Sequence, residues 1–389
     1  MKIGIFTDTY PPSINGVATS IITLQRALEK QGHDVFVVTA NIDNISYEVS
    51  DKIIKIPGLP TGIYDYRVTG VYPLRVINKI KDWQLDVIHS HSFFTVGVVA
   101  RIIAKQFKIP LVHTYHTMVE DFTHYIDKKG HMQDISKKVL KSLTDIYCDK
   151  TIDELVVPSR KVYNLFKKKY QYNREVHIVP TGIEIDKYHP KNYDNQFLPK
   201  LRKKYGLRSR DFVVLYIGRI GFEKSIDFLI DNHFFLPKKA KLLIVGGGPD
   251  LEKLQSKVKK LKIDKQVIFT GRVLHEHIGP YYQLGDVFTT ASATETQGLT
   301  VIEAFAANLP VVAFADSAFE DVVIDDYNGY FFKTAEEYQA IMKKLIQDTK
   351  LMQTLKKQAG ISAQTFSDQN YANNILKVYR QATQKRKVK

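Results

Sequence analysis

The sequence predicts two α/β domains, each a parallel sheet wound with helices, and three observations carry that prediction. The chain has 389 residues, more than one hydrophobic core ordinarily serves. Short apolar runs alternate with amphipathic segments, and this alternation stops near residue 190 and then begins again. Several runs end in a Gly- or Pro-containing loop leading into a helical pattern, the strand–loop–helix unit of a doubly wound sheet. Composition agrees, since 44% hydrophobic and 25% charged residues are ordinary for a globular protein.

The first run, Lys2–Thr7, is followed by Asp8-Thr9-Tyr10-Pro11-Pro12-Ser13-Ile14-Asn15-Gly16, then by Val17, Ile21, Leu24 and Leu28 on one helical face. Asn15-Gly16 lets backbone approach a ligand closely, and the helix start behind it can receive a phosphate; an ordinary βα turn has the same pattern. Met1-Lys2 runs straight into this strand, so no signal peptide is expected. Further strands are expected at Asp34–Thr39, Val87–Ser90 and Pro110–Thr114. His89, His91, His113 and His116 cluster at the last two, at strand ends that carry ligand residues in such sheets. No two of them have the i, i+4 spacing of a helical zinc site, and the chain has one cysteine, Cys148, which makes metal the weaker alternative. His116 is the candidate for a hydrogen bond to a phosphate or a sugar hydroxyl. Glu154–Ser159 and Val176–Pro180 read as the last strands of this half, and residues 181–190 as a linker.

The second series begins at Phe212–Tyr216 and continues into Ile217-Gly218-Arg219-Ile220-Gly221-Phe222-Glu223-Lys224. Arg219 and Lys224 leave one strand end together, as a diphosphate clamp requires; isolated, they would read as solvated cations. Strands are expected at Lys241–Val245, before Gly246-Gly247-Gly248-Pro249, and at Gln266–Thr270, before Gly271-Arg272-Val273. The apolar run Val287–Thr290 leads to T-E-T-Q-G-L-T-V-I-E-A-F-A-A-N at 294–308. Here Leu299, Ile302, Phe305 and Ala306 recur at helical spacing, and Gly298 marks the turn. Glu295 lies on the loop and Glu303 about two turns into the helix. Two carboxylates beside a helix N-terminus suit a ligand with hydroxyls and phosphates, such as a nucleotide sugar. Strand Pro310–Ala315 and closing helices complete the series.

The formal net charge is +15, from 56 Lys plus Arg against 41 Asp plus Glu, and it implies an anionic partner, nucleic acid or an acidic membrane. No nucleic-acid module is recognisable. Two segments are basic and apolar together. In Tyr72–Trp83, Val76, Ile77, Ile80 and Trp83 share a face flanked by Arg75 and Lys79. In Tyr125–Tyr147, Lys128, Lys129, Lys137, Lys138 and Lys141 stand among Ile135, Val139, Leu140 and Leu143. Such faces either lie in a membrane interface or pack in the core, and the net charge favours the membrane. No apolar run approaches the ~20 residues of a membrane span. The lone cysteine fits a reducing compartment.

Taken in order, the marks are Asn15-Gly16-Val17, D-V-I-H-S-H at 86–91, His113–His116, V-P-S at 157–159 and P-T-G-I at 180–183. The second half adds G-R-I-G-F-E-K at 218–224, V-G-G-G-P at 245–249 and the pair Glu295/Glu303. Together they resemble glycosyltransferase family 4, retaining enzymes of GT-B fold, along essentially the whole chain. The E-T-Q-G-L-T loop and H-T-Y-H-T-M-V-E-D-F bring it nearer to the bacterial diacylglycerol α-glucosyltransferases.

The resemblance implies two Rossmann-like domains facing each other across a cleft. Residues 1–190 would form the acceptor and membrane side, with a C-terminal helix 370–389 packing back on it, and 191–369 would bind the nucleotide sugar. It implies that Glu303 accepts hydrogen bonds from the ribose, Glu295 from the donor sugar, and that Arg219 and Lys224 neutralise the departing diphosphate. The amides of Gly16 and of Gln297, Gly298, Leu299 and Thr300 would bind phosphate or sugar oxygens. Backbone at Arg272 and Val273 would meet the base, and His116 would sit near the reacting carbon. Many members have Gly-Phe after the first glutamate where this chain has Thr296-Gln297, on the loop that faces the donor sugar.

The activity expected is transfer of a hexose, glucose from UDP-glucose, to a lipid hydroxyl, that of diacylglycerol. The place expected is the inner face of the cytoplasmic membrane. A nucleoside diphosphate is already a good leaving group, so cations can replace the acid a glycosidase needs. The chain contains no D-x-D triplet, and metal-independent transfer is expected. Another acceptor (a glycosylated lipid, a polyprenyl-linked sugar or a cell-wall polymer) and a sugar-nucleotide epimerase are the alternatives.

Overall fold

Parallel strands buried on both faces favour near-continuous apolar runs, and the parallel strands of this chain are largely such runs, with His, Ser and Thr entering at the carboxyl ends of Val87–Ser90, Leu111–Thr114 and Val287–Thr290. A computed structural model describes residues 1–13, 15–61, 67–70, 74–92, 95–116, 151–193 and 196–388. Two units emerge, one of residues 1–182 with 368–389 and the other of residues 183–367.

The strands of the first unit are β1 (Lys2–Thr7), β2 (Asp34–Asn41), β3 (Glu48–Val49), β4 (Ile53–Pro60), β5 (Arg67–Thr69), β6 (Val87–Ser90), β7 (Leu111–Thr114), β8 (Glu154–Val157) and β9 (Val176–Ile178). They lie in the order β3-β4-β2-β1-β6-β7-β8-β9, with β5 on β4. β3 and β5 run antiparallel to β4, and the other pairs are parallel. Side chains alternate between faces, so Ile3 and Ile5 pack with Ile21, Leu24 and Leu28 of helix Gly16–Lys30, while Phe6 packs with Val96, Val99 and Ile103 of helix Thr95–Gln106. The C-terminal helix Asp368–Val388 completes the first of these faces with Tyr371, Ile375 and Tyr379. Arg386 near its end donates to the carbonyl of Ala104 at 3.4 Å and also reaches Ile109 O.

Segment 72–83 departs from expectation. Its described part forms helix Ile77–Asp82, and Val76, Ile80 and Trp83 are buried in the core. The Trp83 ring stacks on Phe36 with centroids 4.8 Å apart, and its Nε1–H donates to Asp51 O at 2.9 Å. Lys79 pairs with Asp51 at 3.6 Å. The apolar face expected at a membrane surface is therefore core, because a single-faced helix lying on a sheet has no other place to bury it. Segment 125–147 and Cys148 lie outside the described residues.

The second unit has six parallel strands: β10 (Phe212–Ile217), β11 (Ala240–Val245), β12 (Val267–Gly271), β13 (Val287–Thr290), β14 (Val311–Phe314) and β15 (Gly329–Phe332). Their spatial order, β12-β11-β10-β13-β14-β15, is the doubly wound order in which the sheet reverses its winding between the first strand and the fourth. Loops leaving the carboxyl ends of β10 and β13 therefore flank a crevice, the usual ligand position in open α/β sheets. The stretch 181–190, expected as a linker, is structured. Ile185–Tyr188 forms a 3₁₀ turn, and Ile183, Ile185 and Tyr188 join the core of this unit.

Candidate functional site

At the end of β10 the chain turns through Gly218 and runs to Lys224, which closes a 3₁₀ turn of Phe222–Lys224. The glycines after β11 hold this loop. Ile220 donates its N–H to Gly247 O at 2.9 Å, and Asp250 donates to Ile220 O at 3.2 Å. Gly246 sits at φ +146, and a Cβ there would run into Gly218 O, so glycine is required for the two backbones to approach. Arg272, just past β12, lies against Gly247 on the same edge.

The loop after β13 meets the loop after β10 across the reversal point. Lys224 Nζ forms an ion pair with Glu295 Oε1, and Arg219 pairs with Glu223 Oε1. Ser292 Oγ donates to Glu223 O at 3.4 Å, a second tie between the loops. Gln297 is buried, and Gly298 takes a left-handed conformation (φ 73°, ψ 67°) immediately before helix Leu299–Ala306. The amides of Leu299 and Thr300 are at the first turn of that helix, where backbone N–H groups have no intrahelical acceptor.

Glu303 is the fifth residue of this helix, little more than one turn in rather than two. Its partners differ from those of Glu295. Only 4% of Glu303 is exposed. Its Oε1 accepts from Tyr188 Oη at 2.9 Å and from His275 Nε2 at 3.1 Å, and its Oε2 accepts from Tyr282 Oη at 2.5 Å. Burial, reinforced by the neighbouring Glu303 charge, holds both phenols well above the usual tyrosine range. Sequence reasoning passed over all three donors. Tyr188 lay in a presumed linker, and no periodic pattern connects Tyr282 or His275 with Glu303. Val273 is partly buried against the same core.

In the first unit, Asn15 caps helix Gly16–Lys30 by accepting from Ala18 N at 2.9 Å, and Gly16 is exposed at the first helical position. The four histidines gather at the β6 and β7 ends. His91 Nδ1 and His116 Nε2 share a hydrogen bond of 2.7 Å, and the rings stack. His89 Nδ1 meets Tyr379 Oη and its Nε2 meets Thr114 Oγ1, each at 2.7 Å. Burial lowers His116 to about 4 and pushes His89, His91 and His113 well below 6.5, so all four rings are neutral near pH 7.

Among the described residues, one trio has ligand atoms close enough to hold a metal: Glu154, Glu175 and His177. The Lys385 ammonium already occupies it, 2.7 Å from Glu154 Oε1 and 3.5 Å from Glu175 Oε2. The trio also lies at the start of β8 and β9, away from the carboxyl edge where the histidines gather. No helix among the described residues is long and apolar enough to cross a membrane.

Known proteins match this arrangement over its whole length. A family model described as Glycosyltransferase Family 4 matches residues 14–187, and one described as Glycosyl transferases group 1 matches 198–361. The chain is 33% identical over 387 residues to an alpha-monoglucosyldiacylglycerol synthase of Acholeplasma laidlawii, covering 97% of this chain and 96% of the relative. It is 35% identical to a Streptococcus pneumoniae protein of the same name, covering 89% of this chain and 78% of that one. Among solved structures, Anabaena HepE in complex with UDP superposes with a TM-score of 0.76 at 18% identity, covering 98% of this chain and 100% of that one. WaaG, a glycosyltransferase involved in lipopolysaccharide biosynthesis, superposes with a TM-score of 0.71 at 17% identity, covering 97% and 99%. At such identities the likeness is one of fold.

Proposed function

The chain belongs to glycosyltransferase family 4 and has the two-domain GT-B fold, and from that premise we propose that it moves glucose from UDP-glucose to the free hydroxyl of diacylglycerol, with retention. The observation that carries this reading is the meeting of Lys224 and Glu295 from two separate loops at the reversal point of the second sheet. A cation and a carboxylate placed together there suit a ligand with a diphosphate at one end and hydroxyls at the other. The choice of glucose and diacylglycerol is supported by the two relatives, whose name states that product.

On this reading Arg219 and Lys224 neutralise the charge that builds on the diphosphate as the sugar–phosphate bond breaks. No side-chain acid is needed to protonate the leaving group, and as the new glycosidic bond forms the acceptor hydroxyl gives up its proton to an oxygen of the departing diphosphate. Glu295 accepts from donor-sugar hydroxyls and Glu303 from the ribose. The amides of Gly16 and of Gln297, Gly298, Leu299 and Thr300 bind phosphate or sugar oxygens, and backbone at Arg272 and Val273 meets the base. His116, neutral through burial, donates one hydrogen bond to the sugar without adding charge. The partner surface is an anionic membrane on its cytoplasmic side, held through the excess of 15 positive charges rather than through Trp83.

The test pairs labelled UDP-glucose, UDP-galactose and GDP-mannose with diacylglycerol in vesicles of anionic or neutral lipid. Labelled glucosyl-diacylglycerol from UDP-glucose, with stronger binding to anionic vesicles that salt weakens, is the expected result. Product from another donor, or product only on a water-soluble acceptor, would overturn the substrate assignment. Equal binding to both vesicle types would remove the electrostatic claim.

A further inference from the structure

The Glu303 carboxylate is buried, and a buried carboxylate is tolerated only when hydrogen bonds replace the water it has lost. Here four separate elements supply the arrangement: the turn Ile185–Tyr188, the turn His275–His277, helix Gly279–Tyr282 and helix Leu299–Ala306. We propose that Tyr188 and Tyr282, with His275 beside them, are positioning residues of the nucleotide site that fix the Glu303 carboxylate for a ribose hydroxyl. The proposal rests on the assignment of Glu303 to the ribose made above.

Donor directions are determined by the chemistry of the groups. An ionised carboxylate only accepts, so Tyr188, Tyr282 and His275 Nε2 all donate to it. Lys187 Nζ lies 3.3 Å from His275 Nδ1 and 2.9 Å from His275 O, and an ammonium only donates, so Nδ1 is the accepting nitrogen. One neutral tautomer of His275 satisfies both ends. The two phenols stay protonated, since burial and the Glu303 charge raise both. Their rings meet edge to face with centroids 5.5 Å apart, so each blocks the swing of the other.

The same count shows where a ligand can enter. Oε1 already accepts two hydrogen bonds, whereas Oε2 accepts one, from Tyr282. A carboxylate oxygen has two lone-pair directions, so Oε2 keeps one for a hydroxyl. The three donors leave the carboxylate with one orientation and one open direction. A ligand hydroxyl then meets an acceptor that has no rotamer entropy left to lose.

The test uses the full-length enzyme, its Tyr188→Phe and Tyr282→Phe variants, and two probes, UDP and 2′,3′-dideoxy-UDP, by calorimetric titration. Each variant is expected to weaken UDP by about tenfold, the worth of one hydrogen bond to a charged group. Dideoxy-UDP, which has no hydroxyl for Glu303 to accept from, should bind the variants as it binds the wild type. Donor KM should rise in step with the UDP loss while kcat stays within about threefold. Equal weakening of both probes would mean the tyrosines only support the fold, and would overturn the proposal. Unchanged UDP binding in both variants would do the same. Should the wild type fail to distinguish UDP from dideoxy-UDP, the ribose assignment of Glu303 itself fails. Discrimination kept by the wild type and by both variants sinks the positioning claim alone.

Discussion

Replacing Gly298 with alanine tests whether the loop geometry before helix Leu299–Ala306 holds the donor site together. Gly298 sits at φ +73, where an L residue costs about 1 kcal/mol. A Cβ at this position falls inside contact distance of Phe319 Cε1, with Cζ at 3.1 Å. The Phe319 ring is fully buried among Val301, Ile302 and Phe305, so it has no space to move into. Such overpacking costs about 1–3 kcal/mol, which brings the total to roughly 2–4 kcal/mol. For a unit of this size each kcal/mol lowers Tm by about 2–4 °C, so a fall of roughly 5–15 °C is expected. The element that yields is the first turn of the helix bearing Leu299, Thr300 and Glu303, so donor KM should rise as well. Differential scanning calorimetry and donor titration measure both. A Tm within about 2 °C of wild type together with an unchanged KM would refute the reasoning.

Arg219→Ala and Lys224→Ala should each lower kcat by about 10²-fold with Tm preserved, and a variant turning over near the wild-type rate takes that residue out of the mechanism. Activity should survive EDTA, since on the proposed reading Arg219 and Lys224 supply the positive charge that neutralises the diphosphate; loss on chelation that Mn²⁺ or Mg²⁺ restores would contradict this. Acid should destabilise the fold from about pH 6.5 downward. His116 titrates at about 4 when folded and near 6.5 when unfolded, and His89, His91 and His113 shift the same way, so between those values the unfolded chain binds more protons. Stability is therefore full above 6.5 and falls as pH drops toward 4; melting curves that stay flat down to about pH 5 would rule out a buried neutral cluster.

Several strands could be read from the sequence. Lys2–Thr7 and Val87–Ser90 emerge with the bounds expected for them, because each is a short run followed by a loop and a helical pattern, the unit from which a doubly wound sheet is built. β4 was missed because Pro57, Gly58 and Pro60 punctuate it, and punctuation of that kind reads as loop. β15 was missed because it opens at Asn328-Gly329, a pair that reads as a turn. Trp83 shows a different limit. An amphipathic face looks the same whether it packs on a sheet or on lipid, and net charge is a property of the whole chain that says nothing about one helix. In the site, Lys224 and Glu295 stand in loops whose strand ends could be counted from the sequence. The donors to Glu303 could not be found that way, since they lie 115, 28 and 21 residues from it along the chain.

The charge arrangement at the reversal point suggests an order of events. Lys224 is compensated by Glu295 and Arg219 by Glu223, and the four side chains are partly exposed, between 20% and 38%. Water still reaches both pairs and screens them, so each cation can change partners when a stronger anion arrives. A diphosphate brings at least two negative charges and several acceptor oxygens, and charge-assisted bonds to it are stronger than the pairs they replace. On the proposed reading, its arrival draws Lys224 from Glu295, and the freed carboxylate oxygen becomes an acceptor for a hydroxyl of the attached sugar. Sugar alone supplies no anion to make that exchange, so the sugar acceptor is uncovered only by a ligand that also brings the leaving group. Glu303 behaves in the opposite way. Its partners are two buried phenols and the imidazole of His275 rather than a movable ammonium, so it is set before any ligand arrives. On the proposed reading the two carboxylates serve different ends of one molecule, a preset acceptor for the nucleoside and a gated one for the sugar.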